Sequence, residues 1–267
     1  MIREPAVSGQ FYPKNSKELE KLIRDLTPEK SAQKQALGAI MPHAGYIYSG
    51  RAAVSTAAKI IPKKRVIILG PNHTGFGEYF SLYPQGSWIT PFGQIEVDEE
   101  LASNILDKGG WIKEDIPAHK FEHSIEVELP ILKYFFGDFK FVPIICNTAP
   151  LKIYREAANQ IYEGIKDKKK EILIIASGDM THYEPEPQAR KKDSLAIETI
   201  LNLDEENLLR RVEKEKISMC GTATVSIMLI LTKLLGAKKG EVVLYQTSGD
   251  ASGDYSSVVG YLGAVIS

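Results

Sequence analysis

The chain has 267 residues, 33 basic against 34 acidic, two cysteines and 43% hydrophobic residues. At this length about 75% of the extended-chain surface can be buried, so a large core forms without staples, and Cys146 and Cys220 alone cannot build a disulfide framework. A formal net charge of −1 excludes a bulk electrostatic nucleic-acid binder. No apolar run approaches the about 20 residues of a spanning helix, and the N-terminus has no basic-then-apolar leader pattern. A cytoplasmic protein with neither nucleic acid nor membrane as partner is expected.

In chain order, residues 37–41 read as a short buried strand and 51–61 as a helix, with Ala, Val and Ile at helical spacing. Residues 65–69 are the clearest strand, β-branched and closed by Gly70-Pro71. Residues 139–146 form another, with Pro143 demoting part of it to an edge or a bulge. Leu151–Ile165 reads as a helix, the lysine-rich run 166–170 as its solvated end, and 171–176 as the next strand. Helices are expected at 187–201 and 205–212. Thr222–Leu235 is apolar nearly all round and is expected to be a buried helix. Residues 241–246 and 257–265 close the chain as strands.

This alternation predicts an α/β fold: a central mixed, largely parallel sheet with helices on both faces. The strand-rich intervals 78–97 and 241–265 supply the antiparallel pairs. No boundary divides residues 1–267, so a single domain is expected.

Ligands of open α/β sheets bind outside the carboxyl ends of the strands. Three of the five histidines, His43, His73 and His182, follow strands directly. Imidazole is the commonest metal ligand and the usual acid/base group near neutrality. Gly45, Gly70, Gly75 and Gly178 are expected to let the chain turn after these strands. Cys220 precedes the buried helix, either as a thiol whose thiolate the helix dipole favours or as a small buried hydrophobe; Cys146 has an apolar context and is expected to be inert. Asp179 lies three residues before His182, as a ligand partner, an orienting group or a turn cap. Glu122, His123 and Glu126 precede a helix expected over 125–136, with both carboxylates on one face, either as a polar subsite or as a solvated helix start. No nucleotide-phosphate loop, dinucleotide fingerprint, zincin motif or serine-hydrolase elbow is present.

The segments Pro42-His43-Ala44-Gly45-Tyr46, Gly70-Pro71-Asn72-His73, 122–126, 177–182 and Cys220-Gly221, in this order, resemble the Memo family (mediator of cell motility). Residues 3–12 and 255–264 extend the resemblance over nearly the whole chain. It implies a fold shared with class III extradiol ring-cleaving dioxygenases, where a non-haem iron sits at the strand ends. Position by position, His43 and His73 match the two histidine ligands and Cys220 the third ligand. His182, Asp179 and His123 match the pocket residues, with His182 as acid/base oriented by Asp179. A thiolate in place of a carboxylate opens the site to copper or zinc as well as iron(II), so catechol ring cleavage is not transferred. The family resemblance further implies a pathway link to radical-SAM and AMMECR-type proteins. Two functions are compatible with it: a redox-capable, oxygen-dependent metalloenzyme acting on a small molecule, and a binding or scaffold protein that holds a peptide or partner in the same cleft.

Overall fold

A computed structural model describes residues 1–29 and 32–267, without the side chains of 169 and 170. The first half contains β1 (Ile2–Arg3), α1 (Ser16–Leu26), β2 (Gly38–Met41), α2 (Tyr46–Lys59), β3 (Arg65–Pro71), β4 (Phe80–Leu82), β5 (Ser87–Thr90), β6 (Gly93–Val97), α3 (Glu99–Leu106) and β7 (Ile112–Glu114). The second contains α4 (Glu128–Phe136), β8 (Lys140–Cys146), α5 (Leu151–Ile165), β9 (Ile172–Ser177), β10 (His182–Glu184), α6 (Glu186–Leu201), α7 (Glu205–Lys214), α8 (Thr222–Leu235), β11 (Gly240–Thr247), α9 (Gly249–Ser252) and β12 (Val258–Ile266).

The strands form one mixed sheet in the order β1-β5-β6-β8-β3-β9-β2-β12-β10, with β4 and β7 beyond β8 and β11 on β12. Its centre, β8-β3-β9-β2, is parallel; β2–β12, β11–β12 and β5–β6 are antiparallel. This is the mixed, largely parallel α/β architecture expected from the alternation of patterns.

Central strands are buried on both faces, so their sequences are continuously apolar and the alternation is hidden. The packing recovers it. Ile40, Ile67, Leu69, Val142, Ile144, Ile172 and Ile174 point to one core; Ala39, Met41, Val66, Ile68, Phe141, Leu173 and Ile175 point to the other. On the first side α8 lies on β9, β3 and β2 with α5 and α7 against its outer face, so it is apolar all round. On the second side α2 covers β2, β12 and β11 and meets α1 and α4. No helix among the described residues is long and apolar enough to cross a membrane.

Pro143 is neither at an edge nor in a bulge. It sits in the interior strand β8, opposite Ile68 of β3. On its other side β8 pairs with β6 up to Phe141 and with β4 from Ile144. The Pro143 carbonyl accepts the Tyr83 N–H at 3.2 Å. Its nitrogen therefore also faces that seam, and the ladder to β3 loses no bond. The run 166–170 follows α5 directly as a 3-10 turn, Lys166–Glu171, before β9, with Lys166 and Asp167 exposed, and part of that expectation falls on side chains outside the described ones. Helix α4 begins three residues later than expected, at Glu128.

The N-terminal segment is fastened by a buried ion pair. Arg3 donates to the Glu126 carboxylate at 2.8 Å, to the His119 carbonyl at 2.8 Å and to the Glu122 carbonyl at 2.6 Å. Its guanidinium lies 4.0 Å from the Trp88 ring centroid. Glu126 also accepts the N–H groups of Ala6 and Val7 and the Tyr12 hydroxyl. Every charge here is paired and hydrogen-bonded, the condition under which a buried pair is tolerated. Glu126→Ala leaves Arg3 buried without a counter-ion and is expected to cost about 3–5 kcal/mol, read by urea denaturation at neutral pH; a loss below about 1 kcal/mol would show that the clamp is dispensable.

Candidate metal centre

Strands β2, β3 and β9 end at Met41, Pro71 and Ser177 on the same edge of the sheet, because they are parallel and adjacent. The loops that follow carry His43, His73 and Asp179 through His182. One donor atom each from His43, His73 and Cys220 lies within 4.8 Å of the others. His73 also groups with Glu122 and His123, and Cys220 with Asp179 and His182. The sequence-derived residues thus form one contiguous cluster. His119 stays outside it: its Nε2 bonds the Ser81 carbonyl at 2.9 Å among Trp88 and Tyr83, and burial pushes its pKa down to about 3.

His43, His73 and His182 are each held by Nδ1. His43 Nδ1 is 2.8 Å from the Ser177 hydroxyl, and His73 Nδ1 is 2.9 Å from Glu122 Oε1. His182 Nδ1 is 2.8 Å from the Ser218 carbonyl, which only accepts, so that nitrogen carries the proton. The Nε2 lone pairs are left for the cluster; His43 Nε2 lies 3.6 Å from Cys220 Sγ. The rings of His73 and His123 stack at 4.7 Å, His43 meets His73 edge-on at 5.0 Å, and Phe11 closes against His123 at 4.9 Å.

Glu122 organises one side. Its Oε1 accepts the N–H groups of His123 and Ser124 as well as His73 Nδ1, and its Oε2 accepts the His73 N–H at 2.6 Å. Burial alone would raise this carboxyl; the His73 imidazole and the backbone donors hold it well below the usual range. Because α4 starts late, Glu122 and Glu126 do not share a helix face, and their carboxylates serve His73 and Arg3 respectively. Neither is a solvated helix start.

Asp179 and Cys220 organise the other side. Asp179 Oδ1 accepts the His43 N–H at 3.0 Å, and the Asp179 N–H donates to Cys220 Sγ at 3.2 Å. His182 takes its orientation from Ser218, whose hydroxyl accepts the His182 N–H, and not from Asp179. Burial pushes the Asp179 carboxyl up to about 7, against the His43 N–H that holds it down. Burial, with the Asp179 charge behind it, pushes the Cys220 thiol up, opposite to the lowering expected at a helix start. Burial also lowers His43, His123 and His182, leaving neutral imidazoles at pH 7. Cys146 is buried in the core on β8, with burial pushing its thiol up.

Two of the glycines do a different job from the one expected. Gly70 and Gly178 are not in the left-handed region, whereas Gly75 is, at φ +73°. A Cβ on Gly178 would lie 2.6 Å from the Gly221 Cα, so this contact lets the Asp179 and Cys220 loops touch through their backbones. The residues that sequence reasoning passed over, Ser177 and Ser218, are small hydroxyl residues with no signal of their own outside the fold.

Residues 3–265 match the family of Memo-like proteins. The chain belongs to that family. The Memo-like chain is 42% identical over 279 residues to a MEMO1 family protein of Methanopyrus kandleri, covering 99% of each. It is 41% identical over 268 residues to one of Aquifex aeolicus, covering 99% of this chain and 98% of the relative. Among solved structures, the uncharacterized protein JW3007 of Escherichia coli K12 superposes with a TM-score of 0.59 at 13% identity, covering 86% of this chain and all of the other. That likeness shows the shared α/β fold alone.

Gly178→Ala is expected to cost about 1–3 kcal/mol by overpacking and to loosen the Cys220 loop. Thiol labelling of native protein at mildly alkaline pH then marks Cys220 faster than in wild type, and Cys146 in neither; unchanged Cys220 rates would mean that the glycine contact does not hold that loop. Glu122 gives a pH signature. Its folded pKa is depressed, so its contribution is complete above the unfolded value of about 4.3 and is lost only as pH falls through the depressed folded value. Glu122→Gln should therefore be less stable than wild type at pH 7, and the gap should begin to narrow below about pH 4.

Proposed function

We propose that the cluster is a mononuclear metal centre with His43, His73 and Cys220 as ligands, in a redox-capable protein that acts on a small molecule. The reading rests on one observation: two imidazoles with their Nδ1 atoms engaged elsewhere and a thiol sulfur face one another within 4.8 Å. Ligands at about 2.0–2.3 Å from one ion span that gap with small side-chain adjustments. The His73–Glu122 contact has the form of the carboxylate partners that fix metal-bound imidazoles. The donor set therefore fits a metal, and two nitrogens with one sulfur suit iron(II), copper or zinc rather than magnesium or calcium.

A bound iron(II) or copper ion would supply one-electron and oxygen chemistry, and zinc only polarisation. The remaining residues handle protons. His182, protonated at Nδ1 by its bond to Ser218, takes a substrate proton at Nε2. Asp179, with a carboxyl near 7, holds or releases a proton at neutral pH beside Cys220. His123, stacked on His73 and backed by Phe11, forms the wall of the pocket.

A second reading, a cleft for a peptide or protein partner, draws on Phe76, Phe121 and Tyr183, which are exposed within three residues of His73, His123 and His182. Anaerobic titration of Cu(I) and Fe(II) separates the two. Wild type is expected to bind one ion. Cys220→Ala should lose more than the roughly 10–100-fold expected for an outer partner. Cys220→Asp should lose Cu(I) while keeping Fe(II), because carboxylate oxygen is the harder donor. His182→Ala should bind within about tenfold of wild type. Unchanged binding in Cys220→Ala would remove sulfur from the ligand set, and a wild type that takes up no metal would favour the partner-binding cleft.

A further inference from the structure

Glu128 is the first residue of α4 and is fully buried. No Lys, Arg or His pairs with it among the described residues, and its Oε2 has no hydrogen-bond partner. Its Oε1 lies 3.1 Å from the Ser177 hydroxyl, which is 2.8 Å from His43 Nδ1 and 2.7 Å from the Ser124 carbonyl. Ser177 has one proton to give. The Ser124 carbonyl can only accept and is the nearest partner, so the hydroxyl proton goes there. The hydroxyl lone pairs then accept from His43 Nδ1–H and from Glu128. This arrangement requires a proton on Glu128; a carboxylate would face an oxygen lone pair in a sealed site with no counter-charge.

We propose that Glu128 is a neutral carboxylic acid in the metal-free protein and gives up its proton when a cation is bound at His43, His73 and Cys220. The proposal rests on the metal-centre reading above. On ionisation, the Ser177 hydroxyl turns from the Ser124 carbonyl to Glu128 Oε1. His43 Nδ1–H continues to donate to Ser177, so the imidazole gains a carboxylate behind it through one hydroxyl. The released proton passes to the buffer, and the new anion balances the charge of the cation. His73 has Glu122 as its carboxylate; His43 acquires one only in the loaded state. The other ionisable groups facing Glu128 are Tyr46 from α2 and Asp179 after β9. Burial and the Asp179 charge both raise the Glu128 carboxyl, in agreement with the hydrogen-bond count. Glu128 touches Ser177 and no proposed ligand, so it is a positioning residue.

The test is a proton inventory. Zn(II) or Fe(II) is titrated anaerobically into the full chain by calorimetry in buffers of differing ionisation enthalpy. Wild type is expected to release one proton more than Glu128→Gln, and its affinity to rise about tenfold more steeply per pH unit. Infrared difference spectra of wild type against Glu128→Gln should show a protonated carboxylic acid in the metal-free protein that disappears on metal addition. Glu128→Leu fills the same space without a proton and serves as a second variant with the same expected count. Equal proton release in wild type and both variants, or carboxylate bands for Glu128 without metal, overturns the proposal while leaving the metal centre intact. Absence of any metal uptake by wild type overturns both.

Discussion

Strands that are parallel and adjacent must deliver their carboxyl ends to one edge of the sheet, and β3, β9 and β2 are such a set. Everything at the candidate centre follows from that constraint. The loops after the three strands carry His43, His73 and Asp179 to a common edge without any long excursion of the chain. Cys220 arrives separately, at the start of α8, and is admitted because Gly178 and Gly221 let two backbones touch. A side chain at either glycine would separate the sulfur from the imidazoles.

The second organising element is the stretch 122–128, which feeds three buried glutamates into one small volume and gives each a different environment. Glu122 is an anion stabilised by imidazole and backbone N–H groups. Glu126 is an anion stabilised by Arg3 and by N–H and hydroxyl donors of the N-terminal segment. Glu128 has one hydroxyl for company and no cation. Three identical side chains within seven residues thus differ in charge because burial penalises the ion and only the donors supplied by distant segments can offset it. Arg3 links this stretch to the first residues of the chain, since it binds Glu126 and the backbone of Glu122 together. The position of His73 therefore depends on the N-terminal segment, although the two are far apart in sequence.

In the metal-free form burial leaves the imidazoles of His43, His123 and His182 neutral, raises the Cys220 thiol and brings the Asp179 carboxyl to about 7, while Glu122 beside His73 is an anion. A cation entering such a site meets a Cys220 thiol that must give up its proton before it can bind, so affinity and pH are coupled. The donors around it fix the imidazole tautomers in advance, which removes one ordering cost from ligation.

The sequence by itself determined the alternation of strands and helices, the mixed and largely parallel sheet, the buried character of α8 and the strand-end position of three histidines. These depend on local pattern: apolar runs too short for helices, β-branched residues, and glycine or proline at their ends. It passed over α1, whose two buried residues Leu19 and Ile23 are a narrow stripe on an otherwise polar helix. It misjudged Pro143, because whether a missing N–H matters depends on which strand lies opposite. It read Glu122 and Glu126 as one helix face, because nothing local marks where α4 begins. Only the tertiary structure decided which partner each ionisable group meets. Ser177 and Ser218 became the supports of His43 and His182, and the Cys220 thiol was raised instead of lowered, through burial and charges from segments remote in sequence. Secondary structure follows from neighbours along the chain, whereas charge state follows from neighbours in space.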